Sequence, residues 1–68
     1  MSAEVAESVA RHAAADAWQR VAAAATAVAR EYREGVPTPT GHLKVTAVLR
    51  YAKDATDAHD TAVQALSR

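Results

Sequence analysis

Residues 35–41 read GVPTPTG, and they are the strongest interruption in a chain of 68 residues that otherwise favours helix. Gly35 fits the position just after a helix, where the left-handed conformation open to glycine is common. Pro37 cannot continue that helix, because it lacks a backbone N–H and clashes with the preceding turn. Thr38 and Pro39 fit an N-cap followed by proline at the first helical position. The stretch therefore predicts one short turn between two helices.

Thr40 is a competing N-cap, so two starts for the second helix remain open, about two residues apart. Both prolines and both glycines of the chain lie within this stretch of residues 35–41. Ser2 is a plausible N-cap for the first helix. We predict an all-α fold in a single domain, a two-helix antiparallel hairpin with helices over about 3–34 and 40–66.

The composition favours helix strongly and a large core weakly. Half of the residues are hydrophobic, but most of these are alanine; there is no Phe, one Trp and two Tyr. Alanine is the best helix former but buries little surface. A chain of this length buries only about 60% of its unfolded surface and usually needs disulfides, a metal or a partner. Because cysteine is absent, we expect a partner to supply the missing stability.

The apolar residues of each helix follow the alternating spacing of three and four that is typical of coiled coils. Two helices alone cannot enclose such stripes, so we predict that two hairpins associate into a homodimeric four-helix bundle. In the first helix the stripe comprises Ala10, Ala14, Trp18, Val21, Ala25, Val28 and Tyr32. In the second it comprises Val45, Val48, Ala52, Ala55, His59, Ala62 and Leu66, widened by Leu49 and Val63.

Some residues in these stripes have two interpretations. Trp18 either fills the space between the two helices or forms a binding hot spot on the surface. His59 is either a packed, hydrogen-bonded residue or a pH switch, because a charged imidazole is disfavoured in a packed interface. Val5 and Val9 lie off the stripe of the first helix. They indicate either a frayed or bent start of that helix or a second contact surface.

The formal net charge is zero, but the charges are unevenly distributed along the hairpin. Acidic residues are concentrated near the termini, so an antiparallel dimer would bring opposite charges together; the alternative is a solvated, mixed surface. Five basic residues near the turn also offer a possible contact for nucleic acid phosphates. They are Arg30, Arg33, Lys44, Arg50 and Lys53.

Nothing in the sequence predicts catalysis, a cofactor or a metal site. Asp54, Asp57 and Asp60 drift around a helix by about 120° in total, and they do not converge with His59. His12 and Asp16 are one turn apart, but two ligands are too few for a structural metal site. There is no Gly-rich phosphate loop and no nucleophile with a plausible base.

The function predicted from the sequence is a small, non-enzymatic interaction or scaffold module. Its first partner is a second copy of the chain, and another protein is a further possibility. The alternative is a nucleic-acid-binding regulator that uses the five basic residues. The apolar faces have too few large residues for membrane binding. The N-terminus shows no secretory signal, so we expect a cytoplasmic protein.

Overall fold

The structure is a computed structural model that describes residues 2–35 and 39–67, with side chains for 2–35 and 44–67. Helix α1 spans Ala3–Glu34 and helix α2 spans Pro39–Leu66. No strand occurs in these described ranges. The antiparallel hairpin predicted from the turn is therefore confirmed. Because α2 begins at Pro39, one residue before the predicted start, proline occupies its first position, which needs no N–H donor.

The two ends of α1 differ in how closely they follow the prediction. Ser2 caps the first turn as predicted, since its hydroxyl oxygen accepts a hydrogen bond of 3.2 Å from the N–H of Val5. Gly35 does not adopt the predicted left-handed conformation. Its φ of 165° and ψ of −157° are extended, while its N–H donates to the carbonyl oxygen of Glu31 at 3.1 Å. That bond gives the Glu31 carbonyl oxygen in the last turn of α1 a donor, so no left-handed residue is needed there.

The contact between the helices is made mostly by alanine. Only Ala17, with 5% of its surface exposed, and Ala55, with none, are buried among the described side chains. Small side chains at this contact let the two helix backbones approach closely. The α1 residues that line this contact are buried or half-buried: Ala10, Ala14, Ala17, Val21, Ala24, Val28 and Glu31.

This contact is rotated by about one residue from the stripe predicted for α1. Ala17, Ala24 and Glu31 occupy positions that the sequence pattern assigned to Trp18, Ala25 and Tyr32. Trp18 is 48% exposed, so the interpretation that it fills the space between the helices is wrong for the single hairpin. His59 is also exposed.

The hairpin is long and thin. It measures 50 × 15 × 14 Å, and its radius of gyration is 15.5 Å. A compact chain of this length would have a radius of gyration of about 11 Å. No part of the described chain folds back over the two helices, so both broad faces of the hairpin are open.

Candidate interaction face

Helical periodicity shows which side of the hairpin carries the large exposed residues. At about 100° per residue, Trp18 lies about 100° around α1 from the buried Ala17. On α2, Leu49 lies about 120° from Ala55 in the same rotational sense, and Val63 about 80°. Because the helices are antiparallel, the same sense of rotation on each leads to the same broad face. We call this side the Trp18 face.

The Trp18 face holds six of the nine large apolar residues that are exposed among the described side chains. Trp18 is 48% exposed, Tyr32 61% and Leu49 67%. The remaining three are Val45, Val63 and Leu66. Large apolar residues scattered singly are normal on a protein surface, but six of nine on one face is an uneven distribution that is typical of a contact surface.

The residues predicted from the sequence as an interface all fall on this face or on its border with the interhelix contact. Trp18, Tyr32, Val45, Leu49, His59 and Leu66 are exposed. Val21, Val28 and Val48 are half-buried, since their angles of about 20–40° from Ala17 or Ala55 place them at the border of the interhelix contact. Val63 belongs to the same face, although the sequence pattern gives it only as a residue that widens the stripe. Its spacing of four from His59 is the signal that places it there.

His59 lies near the middle of the Trp18 face, about 40° from Ala55 toward its centre. Counted from the Lys44–Glu31 ion pair, His59 lies level with Asp16 of α1, whose angle is about 100° from Ala17 toward the opposite broad face. The exposed imidazole of His59 places a polar group among the apolar side chains of this face.

The opposite broad face carries a shallow groove near the end of the hairpin that is distant from the turn. The groove has a volume of about 360 Å³. Its lining is formed by Ala3, Ala6, Val9, Ala10, Ala13, Thr61, Gln64 and Ala65. α1 is helical from Ala3, so the frayed start proposed for the Val5 and Val9 segment is wrong. The small side chains leave this groove open and weakly contoured.

The five basic residues predicted as a nucleic-acid contact do not form one patch. Arg30 and Arg33 lie about 220° and 160° around α1 from Ala17, on the edge that faces away from α2. Arg50 and Lys53 lie at the equivalent angles on α2, on the edge that faces away from α1. The two pairs therefore project from opposite edges of the hairpin.

Two of the five basic residues are also engaged in ion pairs within the chain. Lys44 Nζ lies 3.1 Å from Oε2 of Glu31, across the two helices. Lys53 Nζ donates to Oδ2 of Asp57 at 2.9 Å, one turn along α2. The hydrogen bond and charge of Asp57, together with the charge of Asp54, raise the pKa of Lys53 above its usual value. Lys53 therefore remains a cation at neutral pH.

In the described part of the chain, no group of three or more His, Asp or Glu side chains is arranged to hold a metal ion. None of the helical segments described is both long and apolar enough to cross a membrane. No family model, curated protein or solved structure gives a significant match to this chain.

Proposed function

We propose that this chain is a non-enzymatic interaction module that acts by self-association through the Trp18 face. The observation that carries the proposal is the set of large exposed apolar side chains on one side of a hairpin in which only Ala17 and Ala55 are buried among the described side chains. Burial of apolar surface is the main favourable term in folding and association. A hairpin with so little buried surface gains most from covering that face.

The dimensions of the face suit a stable contact. The hairpin is 50 Å long and about 15 Å wide, so one broad face offers on the order of 750 Å². A standard stable interface buries about 800 Å² on each partner. Trp18 and Tyr32 supply the aromatic anchors that usually dominate such interfaces, and alanines between them allow close approach.

A second copy of the chain is the simplest partner for this face. A face carrying two parallel rows of apolar residues is self-complementary when two hairpins stack, and the product is a four-helix bundle. Binding, scaffolding or regulation of another protein would then use the outer surface of the bundle. The separation of the basic residues onto two edges makes the nucleic-acid alternative the weaker candidate.

The proposal is tested by sedimentation equilibrium over a range of protein concentrations, using matched substitutions on the two broad faces. Leu49→Gln places a polar group on the Trp18 face, and we expect it to raise the dimer dissociation constant at least tenfold. Val9→Gln makes a similar change at an exposed valine on the opposite face, and we expect little effect. Equal effects of the two substitutions, or a wild-type chain that is monomeric throughout, would contradict the proposal.

A further inference from the structure

We propose that the second copy lies face to face and antiparallel on the first, with the turn of each hairpin over the open end of the other. This arrangement rests on the proposed self-association and specifies how the two copies are oriented relative to each other. The symmetry axis runs across the hairpin at mid-length, so that α1 packs on α1 of the second copy and α2 on α2. The charges on each helix are placed so that they favour this arrangement about the helix midpoints.

The two halves of the hairpin carry opposite net charge. Among the described residues, the half next to the turn, 19–35 and 39–56, has six basic and three acidic residues. The open half, 2–18 and 57–67, has five acidic residues and one basic residue; Arg68 adds another basic residue beyond it. An antiparallel pair stacks each basic half on an acidic half, whereas a parallel pair stacks halves of like charge.

Charges at the outer margin of the Trp18 face on α1 match across the proposed axis. Glu4 lies 14 residues before Trp18, and Arg33 lies 14 residues after Gln19, so both are equally far from the middle of α1. Their angles from Ala17 are about 140° and 160°, on the same margin. In the antiparallel pair, Glu4 of each copy therefore lies level with Arg33 of the other.

The outer margin of α2 shows the same relationship. The Lys44–Glu31 ion pair places residues 44 and 31 at the same level of the hairpin. Each residue back along α1 is matched by one residue forward along α2, so the middle of α1 lies opposite Thr56 and Asp57. Lys53 lies three residues before that point and Asp60 three residues after it. Their angles from Ala55 are about 160° and 140°, so they share one margin.

Lys53 can take part in this contact while keeping its internal partner. Its ammonium group has three donors, and only one hydrogen bond, to Asp57, is made within the hairpin. The antiparallel pair thus gains four margin ion pairs, two on α1 and two on α2. In the parallel pair, Lys53 lies level with Ala22 of the other copy, and Asp60 lies level with Ala15 of the other copy. None of the four ion pairs forms in that arrangement. Exposed pairs add little affinity, but they select between two arrangements that bury the same apolar face.

The arrangement is tested by spin-label distances, because the chain has no cysteine and accepts single labelled sites cleanly. Gln19→Cys labels the middle of α1, and Glu34→Cys labels its end; both positions are exposed. At 1.5 Å per residue, the antiparallel pair predicts about 45 Å between the two Glu34 sites. It predicts less than about 25 Å between the two Gln19 sites, since packed helices lie 8–10 Å apart.

Each outcome of the label experiment has a separate meaning. A long distance at position 34 with a short one at 19 supports the antiparallel pair. Short distances at both positions overturn it and leave self-association standing. No intermolecular signal for either label, with helicity retained, overturns the proposed self-association itself.

A charge exchange tests the margin pairs independently. We expect Glu4→Arg alone to raise the dissociation constant about threefold to tenfold, because it places two arginines level with each other. The double variant Glu4→Arg/Arg33→Glu should recover most of that loss. If the double variant loses as much binding free energy as the two single variants together, the pairing of these residues is overturned.

Discussion

The Nζ atom of Lys44 in α2 lies 3.1 Å from Oε2 of Glu31 in α1, and this ion pair joins the two helices close to the turn. The Lys44 side chain is 45% exposed, but that of Glu31 is only 15% exposed. The carboxylate is therefore the more shielded partner, and loss of the cation matters more here than at an open surface.

Lys44→Met should lower the free energy of unfolding by about 1 kcal/mol, because it removes the ion pair that joins the two helices at Glu31. Asp57→Asn is the matched control, since it breaks an ion pair within α2 whose two side chains are both largely exposed. We expect the control to leave the melting temperature unchanged in thermal unfolding followed by circular dichroism. Equal losses in both variants would show that the interhelix pair has no special weight.

Ala55→Leu should destabilise the hairpin by about 1–3 kcal/mol, because the fully buried Ala55 has no space for three more carbons. Ala23→Leu introduces the same side chain at an exposed position of α1. Leucine is nearly as good a helix former as alanine, so the control should stay within about 0.5 kcal/mol of the wild type. Urea unfolding measures both. A neutral Ala55→Leu variant would mean that the helices do not approach closely at Ala55.

Trp18 is the only tryptophan, so its fluorescence reports directly on the Trp18 face. We expect its emission to shift to shorter wavelength as protein concentration rises, because the indole passes from solvent into a contact between two copies. Trp18→Ala should raise the dimer dissociation constant at least tenfold, or about 1.4 kcal/mol. The control Tyr51→Ala removes an aromatic ring from the opposite broad face, about 40° around α2 from Ala55, and should change the dissociation constant less than about threefold. Emission that does not depend on concentration would contradict a role for Trp18 in self-association.

His59→Leu should strengthen the proposed dimer, because leucine adds apolar surface to the Trp18 face at a position where the wild type carries a polar imidazole. We expect the dimer dissociation constant measured by sedimentation equilibrium to fall. The control His12→Gln changes an exposed histidine outside the face and should leave that constant unchanged. A loss of stability in His59→Leu at neutral pH would contradict this role.

The placement of the basic residues leads to a separate prediction about the strength of nucleic-acid binding. Because Arg30 and Arg33 point away from Arg50 and Lys53, we expect only weak, salt-sensitive binding to duplex DNA or structured RNA. Titrations over a salt series measure the affinity and the number of phosphates neutralised. Tight binding that is lost in Arg50→Ala/Lys53→Ala would favour the nucleic-acid alternative over the interaction module.

Local rules were sufficient to predict the hairpin from the sequence. Ser2 and the proline and glycine residues of the turn act over one or two turns of chain, so their effects appear directly in the residue order. The conformation of Gly35 was not predictable in this way, because its hydrogen bond to Glu31 is satisfied by extended backbone as well.

The interhelix contact was predicted with an error of about one residue in rotation. Periodicity identifies an apolar stripe by its larger members, here Trp18 and Tyr32. With only two helices, however, the closest approach selects the small residues beside them, such as Ala17. The sequence pattern therefore combines two different surfaces, the alanine contact and the face of large residues, in a single predicted stripe. The two surfaces are distinguished only when the two helices are packed in three dimensions.

Absolute mass in solution tests the central claim most directly. Light scattering after size exclusion, at micromolar concentration and neutral pH, should give twice the chain mass of 7.2 kDa, with helical circular dichroism. A mass of 7.2 kDa with full helicity would contradict the account, because it would mean that the hairpin is stable with its Trp18 face open to water.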